Sequence, residues 1–342
     1  MFSRRILLYG VAALALFALA VTAGKGGKPK PPPEPPPAAD PAILYIQRGH
    51  FPDYSLWVMD ADGANKAEIV SVPDVAVRDA DWSPDNTQLV LQLEDTTQHV
   101  WGFYLCDADG ANLQRILHNW WTGSFGSPQW VHFSNGDDRI VYYPQDVQSN
   151  LPGQTSGIWS MKIDGTGHCE MMPEDPDQDG RRVAADHVSR DGSLIAFTYD
   201  RLGQYRHVAL GTVAIDGAGC PVVVQTVELT EVDSSPLQGS DAWSAAIDPT
   251  GTMVAVSAGQ VTDAGLWIIP IADPTSAWHV PVPNAGSWIP EGASWLDART
   301  VVYHRYSGKK HEIFKADIYL GQETKLASAS GRTSLMAPKA KN

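Results

Sequence analysis

One six-residue string occurs twice in this chain and constrains its fold more than any other feature. The string Asp-Ala-Asp-Gly-Ala-Asn stands at Asp60–Asn65 and again at Asp107–Asn112, each time directly after an apolar run that carries an aromatic residue. Self-similarity at a period of about 40 to 50 residues is typical of four-stranded propeller blades. The repeat therefore predicts a tandem array of small sheets.

Related segments continue the repeat along the chain. In three of them an aromatic residue stands five positions before an Asp-Gly turn, a fourth keeps only the turn, and two more keep only the apolar strand. Six related strands indicate six repeats. They surround Trp57, Tyr104, Trp159, Ile215, Trp267 and Phe314.

A second turn unit precedes most of these strands. Trp82–Asn86 reads Trp-Ser-Pro-Asp-Asn before an apolar run, and Ser189–Gly192 and Asp248–Gly251 hold related turns in the same place. Pro presets φ, Asp bonds its own backbone and Gly supplies a positive φ, so these units favour tight hairpins. Since the body of the chain contains no amphipathic helical stretch, the pattern predicts an all-β protein.

The combined pattern resembles the WD40-like PD40 repeat of the TolB-like six-bladed β-propeller family. It consists of Trp-Ser-Pro-Asp-Asn, a strand, and then an aromatic residue before Val-Met-Asp-x-Asp-Gly-x-Asn, and it covers roughly residues 42–328. The resemblance implies six four-stranded antiparallel blades. Because such wheels occur in periplasmic Tol components, in surface proteins and next to hydrolases, it implies the fold rather than one activity.

The first repeat is one strand short, which predicts how the ring closes. Residues 42–70 supply three strands and no inner one, and the C-terminal tail around Thr333–Ala337 is the obvious donor. Its pairing with the first blade would remove exposed sheet edges. Pro338 favours the alternative, a disordered tail. We therefore expect the propeller to span residues 42–337, followed by a tail at 338–342.

The N-terminus has the three parts of a secretory signal. Arg4 and Arg5 precede the apolar run Ile6–Val21, and small residues end at Ala23. We expect a cleaved signal peptide at residues 1–23 and a periplasmic or secreted protein, with an uncleaved membrane anchor as the alternative. Residues 24–41 are rich in proline, which predicts an extended polyproline II spacer.

Charge and cysteine content limit the partners. The net charge of −14 disfavours binding to nucleic acid. We expect no integral membrane domain apart from the leader, and we expect the propeller to be a monomer. Cys169 and Cys220 follow the turns of consecutive repeats, on outer strands expected to lie well apart. A structural disulfide is therefore not expected.

Long irregular segments predict where a partner binds. If each blade runs from an inner to an outer strand, these segments gather on one face, around the mouth of the central channel. Loops on a rigid scaffold often carry binding, and aromatic residues and Arg are enriched at hot spots. The alternative is that the aromatic residues cover blade junctions. The predicted binding face holds Trp120, Trp121, Arg201, Tyr205, Arg206, Trp288, Tyr306 and Lys309.

One loop has the order of calcium ligands. Asp175, Asp177 and Asp179 occupy positions 1, 3 and 5, Arg181 would offer its carbonyl at position 7, and Asp186 falls at position 12. The last residue is Asp instead of Glu, and no helices flank the loop. The segment predicts a Ca²⁺ site, with an acidic solvated connection as the alternative.

Enzyme motifs are missing from the sequence. It holds no Gly-x-Ser-x-Gly, no His-Glu-x-x-His and no P-loop. We therefore predict a non-catalytic protein- or peptide-binding platform of the cell envelope. One alternative is a channel-mouth lyase or hydrolase that uses Asp186 and His187. Another is a carbohydrate-binding propeller with Trp120, Trp121 and Trp288 as stacking surfaces.

Overall fold

The described part of the chain is built almost entirely of β-strands and the turns that join them. The computed structural model describes residues 42–49, 52–98, 100–119, 125–144, 157–173, 182–200, 206–238, 240–259, 264–282, 289–306, 310–330 and 334–340. Within these ranges the only helical element is a single 3-10 turn at Pro274–Ser276. Accordingly, no helix in the described ranges is both long and apolar enough to cross a membrane. The predicted leader and spacer, residues 1–41, lie outside the described residues.

The strands form six four-stranded antiparallel sheets, which confirms the predicted six-bladed propeller. Blade 1 contains β1 (Ala42–Arg48), β2 (Tyr54–Asp60), β3 (Ala67–Val70) and a fourth strand from the C-terminus. Blades 2 and 3 contain β4 (Val75–Trp82), β5 (Gln88–Asp95), β6 (Val100–Asp107), β7 (Gln114–Asn119), β8 (Phe125–His132), β9 (Asp138–Pro144), β10 (Gly157–Lys162) and β11 (Cys169–Pro173). Blade 4 contains β12 (Arg182–Val188), β13 (Leu194–Asp200), β14 (Arg206–Ile215) and β15 (Pro221–Glu228). Blades 5 and 6 contain β16 (Ala242–Ile247), β17 (Met253–Ala258), β18 (Gly265–Pro270), β19 (Trp278–His279), β20 (Ile289–Trp295), β21 (Thr300–Tyr306), β22 (Lys310–Asp317) and β23 (Glu323–Ser330).

The C-terminal tail closes the ring, as predicted. It forms β24 (Ser334–Ala340), which pairs antiparallel with β1 as the inner strand of blade 1. The strand continues through Pro338 to Ala340, three residues past the predicted end of the propeller, so the disordered-tail alternative is wrong. Pro338 is accommodated because two residues of β24 lie opposite the single residue Tyr45. A proline inside a sheet is tolerated at such a bulge.

The same irregularity recurs in every other inner strand. A bulge inserts one extra residue, bends the strand and increases its twist. Its repetition at equivalent points gives all six inner strands a similar bend around the channel. The register shifts lie between Val77 and Asp79, Gly126 and Gln129, Ala185 and His187, Ala242 and Ser244, and Glu291 and Ala293.

Blade packing explains why the Asp-Gly turn repeats. A Cβ atom at Gly110 would lie 1.8 Å from the carbonyl oxygen of Ile69, on the outer strand of the preceding blade. Gly165 approaches Ile116 in the same way, at 2.1 Å. Both glycines also have a positive φ, +84° and +80°. Glycine is therefore needed for two reasons, the positive φ of the turn and the close packing of one blade against the next.

A disulfide joins blades 3 and 4, so the expectation of separate thiols is wrong. Cys169 and Cys220 are bonded, with 5.7 Å between their Cα atoms. Both residues stand where the last turn of a blade leads into its outer strand, and the turn regions of consecutive blades converge there. Asn135 of blade 3 donates its side-chain N–H to the carbonyl of Gly219 at the same place, over 3.4 Å. The third thiol, Cys106, is free and buried.

Hydrogen bonds define two faces of the wheel. The first and last hairpin turns of a blade are joined, as where Ala108 N–H donates to the Thr87 carbonyl over 2.9 Å. The middle hairpins are joined instead to the connections between blades, as where Gly259 N–H donates to the Asp241 carbonyl over 3.0 Å. We call these sides the turn face and the loop face.

Candidate binding site at the channel mouth

Polar side chains on the inner strands satisfy the open edge of the next blade. The Asp81 carboxylate accepts the backbone N–H of Trp130 over 3.2 Å, from blade 3 to blade 2. Gln129 accepts the backbone N–H of Val188 over 2.6 Å, from blade 4 to blade 3. An unpaired strand edge is costly when it is buried. These side chains therefore help to hold the ring closed around the channel.

His187 performs the same task between blades 4 and 5. Its Nδ1 accepts the backbone N–H of Ile247 over 3.2 Å, which places the proton of the neutral ring on Nε2. Burial lowers the pKa of His187 to about 3. The imidazole is therefore neutral near pH 7 and committed to a backbone bond, which favours a structural role over a catalytic one.

Two partly buried carboxyl groups share the channel with one lysine. Burial raises the pKa of Asp81 to about 6 and that of Asp186 to about 7. In both cases the positive charge of Lys339 opposes the shift, and Asp186 is also hydrogen-bonded to Thr198. The closing strand thus brings a cation to carboxyl groups of blades 2 and 4, and partly neutralises the channel.

A concavity opens beside these groups on the turn face. Its empty volume, including the part open to solvent, is about 470 Å³. Arg190 spans part of its rim, because its Nη2 donates to the Pro84 carbonyl of blade 2 over 3.2 Å. Trp130 is 7% exposed, and among the described residues its Nε1 has no hydrogen-bond partner. The lining residues are Asp81, Trp82, Ser83, Pro84, Asn86, Trp130, His187, Val188, Ser189 and Arg190.

The serines of this concavity are already engaged. Ser83 donates its hydroxyl to Asp85, and Ser189 donates to Asp191, each over 2.7 Å. The bond from Ser83 holds the pKa of the Asp85 carboxyl below its usual range. Both serines therefore stabilise their own turns. The arrangement can bind a ligand through N–H donors and a carboxyl group.

Most of the sequence-predicted site residues fall outside the described part of the chain. Arg206 is exposed at the start of β14, and its backbone N–H donates to Asp241 over 2.8 Å. Tyr306 ends β21 and stacks on His311, with 4.5 Å between ring centroids. Both lie beside middle hairpins, on the loop face. Those outside the described residues are Trp120, Trp121, Arg201, Tyr205, Trp288 and Lys309.

The calcium prediction falls largely outside the described residues as well. Asp175, Asp177, Asp179 and Arg181 lie there, whereas Asp186 stands within β12 beside the channel. Across the described ranges no group of three or more His, Cys, Asp or Glu residues is placed to hold a metal ion. The Ca²⁺ site therefore stays a prediction.

Sequence reasoning missed the residues that form the turn-face concavity. Asp81, Trp130 and Arg190 come from blades 2, 3 and 4, and nothing in their spacing indicates that they meet. One signal was available in the sequence. Asp81 directly precedes the Trp-Ser-Pro-Asp turn unit, and Arg190 lies within the related turn at Ser189–Gly192. That unit ends an inner strand and so marks the turn-face mouth of the channel.

Comparison with solved structures places the wheel among known propellers. It superimposes on TolB from Acinetobacter baumannii with a TM-score of 0.66 and 18% identity, over 88% of this chain and 66% of that one, just under two thirds. A chain of a nidogen/laminin complex matches with a TM-score of 0.58 and 10% identity, over 88% of this chain and 98% of that one. Hydrazine synthase from Kuenenia stuttgartiensis matches with a TM-score of 0.63 and 10% identity, over 89% of this chain and 47% of that one.

Sequence comparison adds no closer relative. No family model matches the chain, and no curated protein sequence matches it significantly. The repeats, the six four-stranded blades and the structural matches nevertheless agree with one another. The chain has the fold of a TolB-like six-bladed β-propeller.

Proposed function

We propose that this chain is an exported, non-catalytic propeller that docks a protein or peptide partner of the cell envelope at the mouth of its channel. The observation that carries the proposal is the turn-face concavity. There Asp81, on the inner strand of blade 2, and Arg190, just after the inner strand of blade 4, line a concavity between the inner strands of blades 2, 3 and 4. A partner segment that enters could use both groups without any movement of the backbone.

The channel chemistry favours binding over catalysis. His187, Gln129 and Asp81 are each spent on a backbone N–H of the next blade. The fold itself does not decide the matter, because one of the matched structures is an enzyme and another is part of a protein complex. The choice between binding and catalysis therefore rests on the residues of this chain.

Export is supported by the disulfide as well as by the leader. A bond such as Cys169–Cys220 persists in oxidising compartments and is rare in reducing ones. The predicted signal at residues 1–23 and the proline-rich spacer fit the same destination. We place the wheel in the periplasm or outside the cell.

The experiment is affinity capture from native envelope extracts with the immobilised full chain. Arg190→Glu changes the rim of the turn-face concavity, whereas Arg115→Glu makes the same charge change on the outer strand β7, away from the channel. We expect one partner to be retained by the wild type and by Arg115→Glu, and lost with Arg190→Glu. A wild-type wheel that retains nothing, or equal losses from both variants, overturns the proposal.

A third variant tests the opposite mouth. Tyr306→Ala removes an aromatic side chain of the loop face, where the sequence predicted docking. Loss of the partner with Tyr306→Ala and its retention with Arg190→Glu would move the docking site to the loop face. The platform function would then stand, with the other mouth as its site.

A further inference from the structure

The rim of the wheel is sealed at five of its six blade junctions in the described residues. Junctions 1–2, 2–3 and 6–1 use a turn glycine against a carbonyl of the preceding outer strand, as Gly63 does at 2.8 Å from Leu326. Gly321 makes the equivalent contact with Pro281 between blades 5 and 6, at 2.2 Å. The disulfide takes this place between blades 3 and 4. Among the described residues, only junction 4–5 shows no such contact.

Two apolar side chains of the outer strand β15 are exposed beside this junction. Val224 is the bulged residue of β15, the position that Ile69 and Ile116 hold in their own outer strands. Ile69 and Ile116 are partly buried against the next blade, whereas Val224 is 60% exposed and Val227 45%. Blade 5 has lost the Asp-Gly turn that would cover this bulge. The missing turn therefore uncovers a stretch of β15.

The uncovered strand has the properties of a docking edge. β15 is the outermost strand of blade 4, and no strand in the described ranges pairs with its outer side. Proteins usually protect such edges with charges or by keeping them short. The outer strand of blade 5 has two residues, and that of blade 6 carries Glu323 and Lys325. β15 has eight residues, with no charge from Pro221 to Val227.

The segment of sequence that contains this edge is acidic. Between Arg206 and Arg299 the sequence contains no lysine or arginine at all. Carboxylates stand on both sides of β15, with Asp216 before it and Glu228, Glu231 and Asp233 at or beyond its end. The acidic residues of the whole segment are Asp216, Glu228, Glu231, Asp233, Asp241, Asp248, Asp263, Asp273, Glu291 and Asp297. A neutral apolar edge thus lies within an acidic segment of the sequence, which we call the acidic sector.

We propose that β15 binds an extended segment of a partner protein. In this segment apolar and polar residues alternate, and Lys or Arg stands at both ends. The segment would add a fifth strand to blade 4, so that main-chain hydrogen bonds supply affinity and Val224 and Val227 supply apolar contact. Its terminal cations would meet Asp216 and the carboxylates that follow Val227. This inference rests on the proposed docking function and names a second surface and its partner's chemistry.

Charge also selects among the possible occupants. A second copy could pair its own β15 in the same way, but it would bring the same acidic sector against itself. Like charges at close range oppose that association, whereas opposite charges speed encounter and fix register. The occupant is therefore a basic partner strand.

The test uses a defined peptide and the full chain. The probe is a fluorescent peptide Lys-Lys-Val-Thr-Val-Thr-Val-Lys-Lys, and its controls are the peptide with Glu for every Lys and the peptide with Pro for the central Val. Fluorescence anisotropy at low and high salt reports binding. We expect the basic peptide to bind the wild type, with affinity that falls as salt rises, and at least tenfold weaker binding of both controls.

Variants of the wheel locate the site. Val224→Lys and Val227→Lys place a cation on the exposed edge, and each is expected to weaken the basic peptide at least tenfold. Thr324→Lys, on the exposed part of β23, is the matched control and should leave binding unchanged. Unfolding midpoints equal to wild type show that these exposed substitutions keep the fold.

Three results overturn the inference. The first is equal binding of the basic and acidic peptides, the second is unchanged binding by both valine variants, and the third is a dimer in sedimentation that Val224→Lys dissociates. Partner capture that depends on Arg190 but not on Val224 would refute this edge and leave the proposed function standing. Peptide binding at β15 without any captured partner would refute docking at the channel mouth and leave the binding edge at β15 standing.

Discussion

The repeated turn glycine offers the sharpest test of how the wheel is held together. Gly110 and Gly219 occupy the same position of the last turn in blades 2 and 4, with φ of +84° and +82°. Each donates its N–H to the carbonyl of an aspartate three residues earlier, Asp107 or Asp216. The difference lies in the neighbour, because a Cβ at Gly110 would meet Ile69 at 1.8 Å and a Cβ at Gly219 would have nothing within 4 Å.

The magnitudes follow from this comparison. Alanine in the left-handed region costs about 1–2 kcal/mol at either position. Only Gly110→Ala must also push blade 1 away from blade 2, and overpacking of this kind costs about 1–3 kcal/mol more. We therefore expect Gly219→Ala to lower the free energy of unfolding by about 1–2 kcal/mol and Gly110→Ala by about 2–5 kcal/mol.

Urea unfolding followed by tryptophan fluorescence measures both variants. The midpoint should fall further for Gly110→Ala while the slope stays the same, since the surface exposed on unfolding does not change. Equal losses from the two substitutions would show that the glycine repeats for its turn alone. The close approach of Ile69 to Gly110 would then contribute nothing to the requirement for glycine.

Four further outcomes are expected. Cys169→Ser with Cys220→Ser should lower the free energy of unfolding by about 4 kcal/mol, as a loop of this length predicts, and reductant should have the same effect on the wild type but none on the variant. Burial raises the pKa of Asp81 from 3.8 to about 6, so the folded state holds the proton more tightly and stability falls as pH rises through that range; Asp81→Asn should remove that fall, on the order of 2 kcal/mol, in unfolding curves at pH 4 and pH 8. Deletion from Ser334 onwards should remove β24, leave β1 as an open inner edge and give an aggregating product in light scattering, and a soluble cooperative domain would contradict the closure. Calcium at 100 times its Kd should stabilise the wild type by about 2.7 kcal/mol and leave Asp177→Asn unchanged, whereas equal melting curves with calcium and with chelator refute the site.

The fold could be predicted because the repeated residues each have a local conformational preference that indicates a hairpin of a blade. Each Asp-Gly turn needs a positive φ, as Gly63 and Gly110 show, and each such turn marks the same hairpin of a blade. Even closure by the tail followed from a count, since the first repeat lacked an inner strand. What the count could not show was the bulge that lets Pro338 lie within that strand.

The disulfide and the concavity could not be predicted because both depend on distances between blades. Cys169 and Cys220 are 51 residues apart, about one repeat, so they occupy equivalent points of consecutive blades. That spacing was the available signal. Equivalent residues of consecutive blades lie far apart at some positions along the outer strand and close together at others. These two cysteines stand next to the last turns, where consecutive blades come close together. The meeting of Asp81 with Lys339 similarly needs the closed ring.

A repeat that is lost can be as informative as a repeat that is kept. In blades 1, 2, 3 and 6 a recurring geometry covers each outer bulge, with a glycine turn or a disulfide from the neighbouring blade. Blade 5 has no such turn, and the cost is an exposed Val224 on a strand edge that carries no protecting charge. Exposed apolar edges invite unwanted pairing, so a protein that keeps one gains from a partner that covers it. Because the surrounding sequence carries no lysine or arginine, we expect such a partner to present a basic segment, which opposite charge would attract to the edge.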